Sequence, residues 1–454
     1  MAGLALTSHT KAYAQTPNCG GGSSGVGVVR DEPIVCDSRV TRTLNSSGGK
    51  GISINMDRRS GEAAVTVKNG ADITIGKKIT VTGGSGSLPV IKVYGGGKLM
   101  LDQEVDVTKA TIKKEIVVEG AGSSVTLKGV LKGFERMEIS NGGMVVLGEK
   151  VTGIEGMKVK INDGGGTVRL MKDVTFNNGT EAGIKIEGNR AGKASVIGVG
   201  KTVIVKGSGI EVDGNGGTAS VVMLTIVGTG STGVGVDVQN GRGEMTLNKV
   251  GIEGFRVGVN AMSGTVNING NSTIEVIAGG TGIMVGSGAT VKMMEGSIKG
   301  GGGLKGVESS GVVELTKVDI SKFGKGVDVT AGTLKMMGGT VTFEDGKNNY
   351  GVHVQNGATA DLTKVTIKGT GSGQGVGVIK DGAGTMTMTE VGISGVKVGV
   401  HAKNGKVNIN MGEITFEGNG QGVKVETGAV ADLTKVTIKG GGATGTGLYV
   451  MGTA

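Results

Sequence analysis

The chain has no tryptophan, and aromatic residues make up only 2% of its 454 positions. That scarcity argues against an aromatic sugar platform and against the stacking surface of a single-strand nucleic-acid binder. Prolines number 3 against 94 glycines, and no Gly-X-Y period runs through the chain, which excludes collagen. No run of about 20 apolar residues occurs, so no helix of this chain spans a membrane. Cysteines number only 2, without a Cys-x-x-Cys pair, and histidines 3, so no zinc site can be assembled from the usual spacings. The calcium-binding glycine-aspartate nonapeptide is not repeated either.

What is present is a rhythm. Gly-hydrophobic-x-hydrophobic begins at Gly235 and returns at Gly258, Gly282, Gly306, Gly326, Gly351, Gly375, Gly399, Gly422 and Gly447, about every 24 residues. A second pattern keeps step with it, as in Val313-Glu-Leu315 with Val318-Asp-Ile320 and Ala360-Asp-Leu362 with Val365-Thr-Ile367. Apolar residues hold one parity, while Glu314, Asp319 and Asp328 hold the other. One face is therefore core and the other faces water. Strands of three or four residues bury too little alone, so each must lie under the same strand of the next turn. The expectation is an all-β, single-stranded, right-handed parallel β-helix with about 24 residues per coil and three short strands in each. Dense Val, Ile, Leu and Met alternation excludes low-complexity disorder. Glycine clusters are expected at turns, and Phe176, Phe343 and Phe416 at inward core positions.

One continuous β-helix over 51–454 is expected, with less regular coils over 51–180. Ala360–Gly369 recurs intact at Ala431–Gly440, 71 residues later, so duplication proceeded in units of three coils. Net charge is +9, with lysines scattered over outward positions such as Lys317, Lys364 and Lys435, where other coils carry Glu295 and Glu390. This mixed column reads as a solvated face, with a basic stripe for heparan sulfate as the alternative. No nucleic-acid partner is expected.

An enzyme would need its catalytic groups in the outward columns, as paired carboxylates or acidic metal ligands. One column is expected to run Asp237, Asn260, Met284, Glu308, Asp328, His353, Gly377, His401, Lys424, Tyr449. Its members share no chemistry, and the two histidines, two coils apart, read as surface residues. The expectation is no enzyme, no catalytic residue, no metal and no cofactor. Arg242-Gly-Glu244 only approximates an integrin-binding triplet.

Residues 1–14 end in Ala12-Tyr-Ala14, an Ala-x-Ala cleavage pattern, and read as the remnant of a signal peptide. Residues 15–50 read as an N-terminal cap. Cys19 and Cys36 fall inside it, and a disulfide between them would close a loop worth about 3 kcal/mol in an oxidising compartment.

A leader ending Ala-Tyr-Ala-Gln, the Pro17-Asn-Cys19 and Pro33-Ile-Val-Cys36 segments, and then a Gly/Val/Lys/Met-rich coil array resemble the passenger domains of type V autotransporters. The similarity is greatest to the Bartonella angiogenic passengers, and it covers nearly the whole chain. The resemblance implies export through the periplasm and outer membrane to the bacterial surface or the medium. It implies action as a host-cell effector, engaging a vascular endothelial growth factor receptor on endothelium. It assigns no receptor-contact residue. An adhesin binding host matrix or glycosaminoglycan is the second reading, and a polysaccharide-cleaving β-helix the third.

Overall fold

The structure, a computed structural model, describes residues 18–454 apart from 22, 23, 58, 60, 62, 178, 189–191, 215, 216, 231, 242 and 372. The proposed leader remnant, 1–14, and Arg242 lie outside the described residues. Every ladder between strands is parallel, and the described residues contain strands and no helix. The fold is a parallel β-helix. One turn shows its plan: Tyr350–Gln355 lies on a first face, Thr359–Thr363 on a second and Thr366–Gly369 on a third. Each pairs with the same element of the following turn.

Alternation decides which side chains go inside. In Thr359–Thr363 the pattern of exposed and buried residues puts Ala360 and Leu362 inward. Phe176, Phe343 and Phe416 are buried as expected, and so are Phe255 and Phe323. The register also confirms the duplication unit, because Ala360 stacks on Met386, Met386 on Val407 and Val407 on Ala431. The early region stacks in the same way, but with register shifts between Asp106 and Lys109 and between Lys113 and Ile116, in keeping with the less regular coils expected there. Ser24–Val29 pairs with Thr41–Ser46 and Ile34–Cys36 with Val65–Val67, so the segment expected as a cap supplies strands of the stack. Its third face starts as a separate ladder of four strands, Ile52–Asn55, Ile79–Gly83, Val105–Ala110 and Leu131–Lys132.

Two expectations are corrected. The recurring glycines are packing residues as well as turn residues. At Gly258, Gly282, Gly306 and Gly399 the backbone is not left-handed, yet a Cβ would lie 2.2–2.4 Å from an isoleucine Cγ2 and 2.5–2.6 Å from the carbonyl of the glycine one turn on. Missing side chains let the first face close onto the third. The second correction is a slip of register at Gly375-Val-Gly-Val378. Val352 stacks on Val378, so Gly377 rather than Gly375 joins the glycine ladder, and Ile379 rather than Gly377 joins the outward column. With glycine at both 375 and 377 the local pattern is degenerate, and only stacking against Val352 and Val400 selects one.

Candidate binding surfaces

Cys19 and Cys36 form the expected disulfide, with Cα atoms 5.1 Å apart. Both are buried, and the backbone around them is tied down: Arg42 donates to the Cys19 carbonyl at 2.6 Å, and Asn18 donates to the carbonyls of Arg30 and Glu32. The bridge thus fastens the chain entry to the first stacked strands.

The outward column on the first face is assembled largely as expected, but it is not a solvated stripe. Asp328 is only 4% exposed and Asp237 only 7%. Lys305 contacts Asp328 at 2.8 Å from one turn below, Gln355 donates to it at 2.6 Å from one turn above, and His353 stands 3.6 Å away. Tyr350 is buried beside His353 with ring centroids 5.1 Å apart, and Lys325 lies over its ring. Long neighbours in adjacent turns close over the short carboxylate. Burial opposes its charge, yet the hydrogen bonds from Lys305 and Gln355 outweigh it and hold Asp328 below the usual carboxylate range. Burial raises the Tyr350 hydroxyl, helped by the neighbouring Asp328 charge.

The histidines read as surface residues are largely covered, with side chains 15% exposed at His353 and 14% at His401. Burial lowers the pKa of both. Ile379 separates them in the stack, and His401 instead meets Glu426 at 2.7 Å. Lys424 and His401 together draw the Glu426 carboxyl down to about 2. These groups are locked to one another across turns, an arrangement that fastens coils together. Among the described residues no group of three His, Cys, Asp or Glu is placed to hold a metal ion.

The mixed Lys/Glu column lies at the corner between second and third faces. Glu295, Lys317, Lys364, Glu390 and Lys435 all turn the chain in the left-handed region, with φ between 53 and 59°. The corner is tight, as where Lys364 and Val365 alone separate Thr363 from the strand starting at Thr366. Opposite signs meet across turns, Lys364 with Glu390 at 3.9 Å and Lys317 with Glu295 at 4.0 Å. A basic stripe is thereby broken at this corner.

The sequence reading missed a groove on the second face. It has a volume of about 780 Å³ and is lined by Thr126, Val146, Arg169 and Met171, with Asp102, Lys128, Glu149 and Lys150 at its rim. Thr126, Val146, Arg169, Ile197 and Val222 stack in consecutive turns at an outward position. Elsewhere the same column carries Asn248, Asn269, Thr363, Thr389 and Asn410, along with Met100 and Met337. A signal was available: Val145-Val146-Leu147 is apolar at every position, against the period of two. Beside this column Met171 is 38% exposed and Val199 61%.

Compared with protein-family models, curated proteins and solved structures, the chain gives no match. No helix among the described residues is long and apolar enough to cross a membrane.

Proposed function

We propose that this chain is an exported binding rod, a passenger of the autotransporter kind that acts on host cells by engaging a receptor on endothelium. The receptor suggested by the sequence resemblance is that for vascular endothelial growth factor. The observation that carries the exported half is the buried Cys19–Cys36 bridge at the first turn, since such bridges persist in oxidising compartments. The binding half is supported by the open groove on the second face, where Arg169 stands among Val146, Ile197 and Val222 in a column that elsewhere carries several Thr and Asn.

Heparan sulfate is the runner-up, on the strength of the +9 charge. Against it, Lys185, Lys305 and Lys424 are engaged by carboxylates of the same chain. The test adds purified chain to endothelial cells and measures receptor phosphorylation, with and without enzymatic removal of heparan sulfate. Phosphorylation that survives the removal supports the receptor reading. Cell binding abolished by it, without phosphorylation, transfers the role to an adhesin, and release of oligosaccharide products would make the chain an enzyme.

A further inference from the structure

We propose that the groove on the second face docks an extended acidic segment of a protein partner, with Arg169 anchoring a carboxylate that has apolar side chains on either side. The inference rests on the binding-rod reading and names the contact surface and the chemistry of its occupant.

Arg169 stands in the stack between Val146 and Ile197, one turn to either side. It is exposed, and among the described residues it has no ion pair or side-chain hydrogen bond. Lys150 and Lys201, at the rim and its continuation, also have none, whereas Lys128 is held by Asp102 at 3.5 Å. Glu149 is the acid left to oppose these three cations. A cationic centre flanked by apolar walls selects a carboxylate, because a guanidinium binds it through two parallel hydrogen bonds and the surrounding surface excludes water from them. Val146, Ile197, Met171 and Val199 then need apolar partners of their own. A sulfated polysaccharide meets the charge but leaves those side chains uncovered. A protein segment with acidic residues among apolar ones satisfies both.

Length agrees with an extended segment. From Thr126 to Val222 the column crosses four intervals of about 4.8 Å, roughly 19 Å, which about six residues span at about 3.3 Å each. Elsewhere on this face exposed methionines such as Met294 and Met337 stand singly, with Thr316 between them in the stack. At the groove, by contrast, Ile197 and Val222 are stacked neighbours, and Val146, Met171 and Val199 lie around them.

The test uses the full chain and a blocked hexapeptide alternating leucine with glutamate, a second peptide with glutamine in place of glutamate, and heparin, each followed by fluorescence anisotropy. The glutamate peptide is expected to bind at least about 10-fold more tightly than the glutamine peptide, with affinity falling as salt rises. Arg169→Glu should remove at least about 10-fold of that affinity, and Lys335→Glu, farther along the same face, should leave it unchanged. The double variant Val146→Asn, Ile197→Asn should also lose binding while its circular dichroism stays that of the parent, since asparagine occupies this column at 248, 269 and 410. Equal binding of the two peptides, or indifference to Arg169→Glu, overturns the proposal. Heparin binding that depends on Arg169, with neither peptide bound, reassigns the groove to a polyanion. Receptor phosphorylation separates this inference from the function it rests on. Parent and Arg169→Glu chains that signal alike defeat the groove but leave the receptor reading standing. A parent that binds the peptide in silence defeats the receptor reading and keeps the groove.

Discussion

Lys380 occupies an inward position, stacked between Val354 and Ala402 in a column of core residues. It is 0% exposed, and its ammonium escapes the aliphatic interior only by reaching the carbonyl of Gly382 at 2.6 Å. Burial lowers its pKa. The unfolded chain therefore holds this proton more tightly, and stability rises with pH between the folded value and the ordinary 10.5. Lys380→Met should stabilise the protein by about 1–3 kcal/mol near neutrality and flatten that alkaline rise, as measured by denaturant unfolding at several pH values. The histidines act with the same sign, but in the acidic range. His353 and His401 are kept neutral by burial, so the unfolded chain gains their protons first as pH falls below 6.5. Stability should fall from there down through the folded values, and His353→Asn should lessen the slope.

At the level of the strand and its corner, the glycine ladder sets how closely turns stack. A Cβ on Gly306 would lie 2.4 Å from Ile320 Cγ2 and 2.6 Å from the Gly326 carbonyl, both held in the wall of the helix. Gly357, in a turn, has nothing within 4 Å of its Cβ position and no left-handed φ. Gly306→Ala should therefore destabilise by about 1–3 kcal/mol, and Gly357→Ala should be neutral or stabilising by about 0.4–1 kcal/mol. Thermal unfolding of the two variants side by side checks the assignment, and equal effects would contradict it. The left-handed corners follow similar logic. Lys364 is strained by its left-handed backbone, and Lys364→Val, a β-branched change, should cost more than Lys364→Glu.

Across the whole molecule each turn contacts its neighbours, so stability accumulates by stacking and turns can be removed in register. Because Ala360 reaches Ala431 through Met386 and Val407, deletion of Ala360–Val430 places Ala431 where Ala360 stood, under Leu334. The shortened rod should fold, with β-rich circular dichroism and a smaller maximum dimension in small-angle scattering. It retains Arg169 and the groove, so binding of the acidic peptide should be unchanged. A chain that aggregates or loses its β signal would show that the three-coil unit is not interchangeable.

Parity and period were legible in the residues. Val313, Leu315, Val318 and Ile320 alternate with polar neighbours, which fixes their inward direction, and the cysteine spacing is compatible with the bridge observed. Other features depend on which strand lies above or below, and that no local pattern states. Asp328 looks outward by parity but is buried because Lys305 and Gln355 arrive from adjacent turns. Val146 and Ile197 lie 51 residues apart in the chain, and only stacking puts Arg169 between them. The duplicated segment makes the same point. Leu362 and Ile367 are buried with Met388 and Ile393 stacked against them, while the identical Leu433 and Ile438 are only partly buried. Sequence determines which face a residue presents to the stack. Burial is decided by the turn that lies against it.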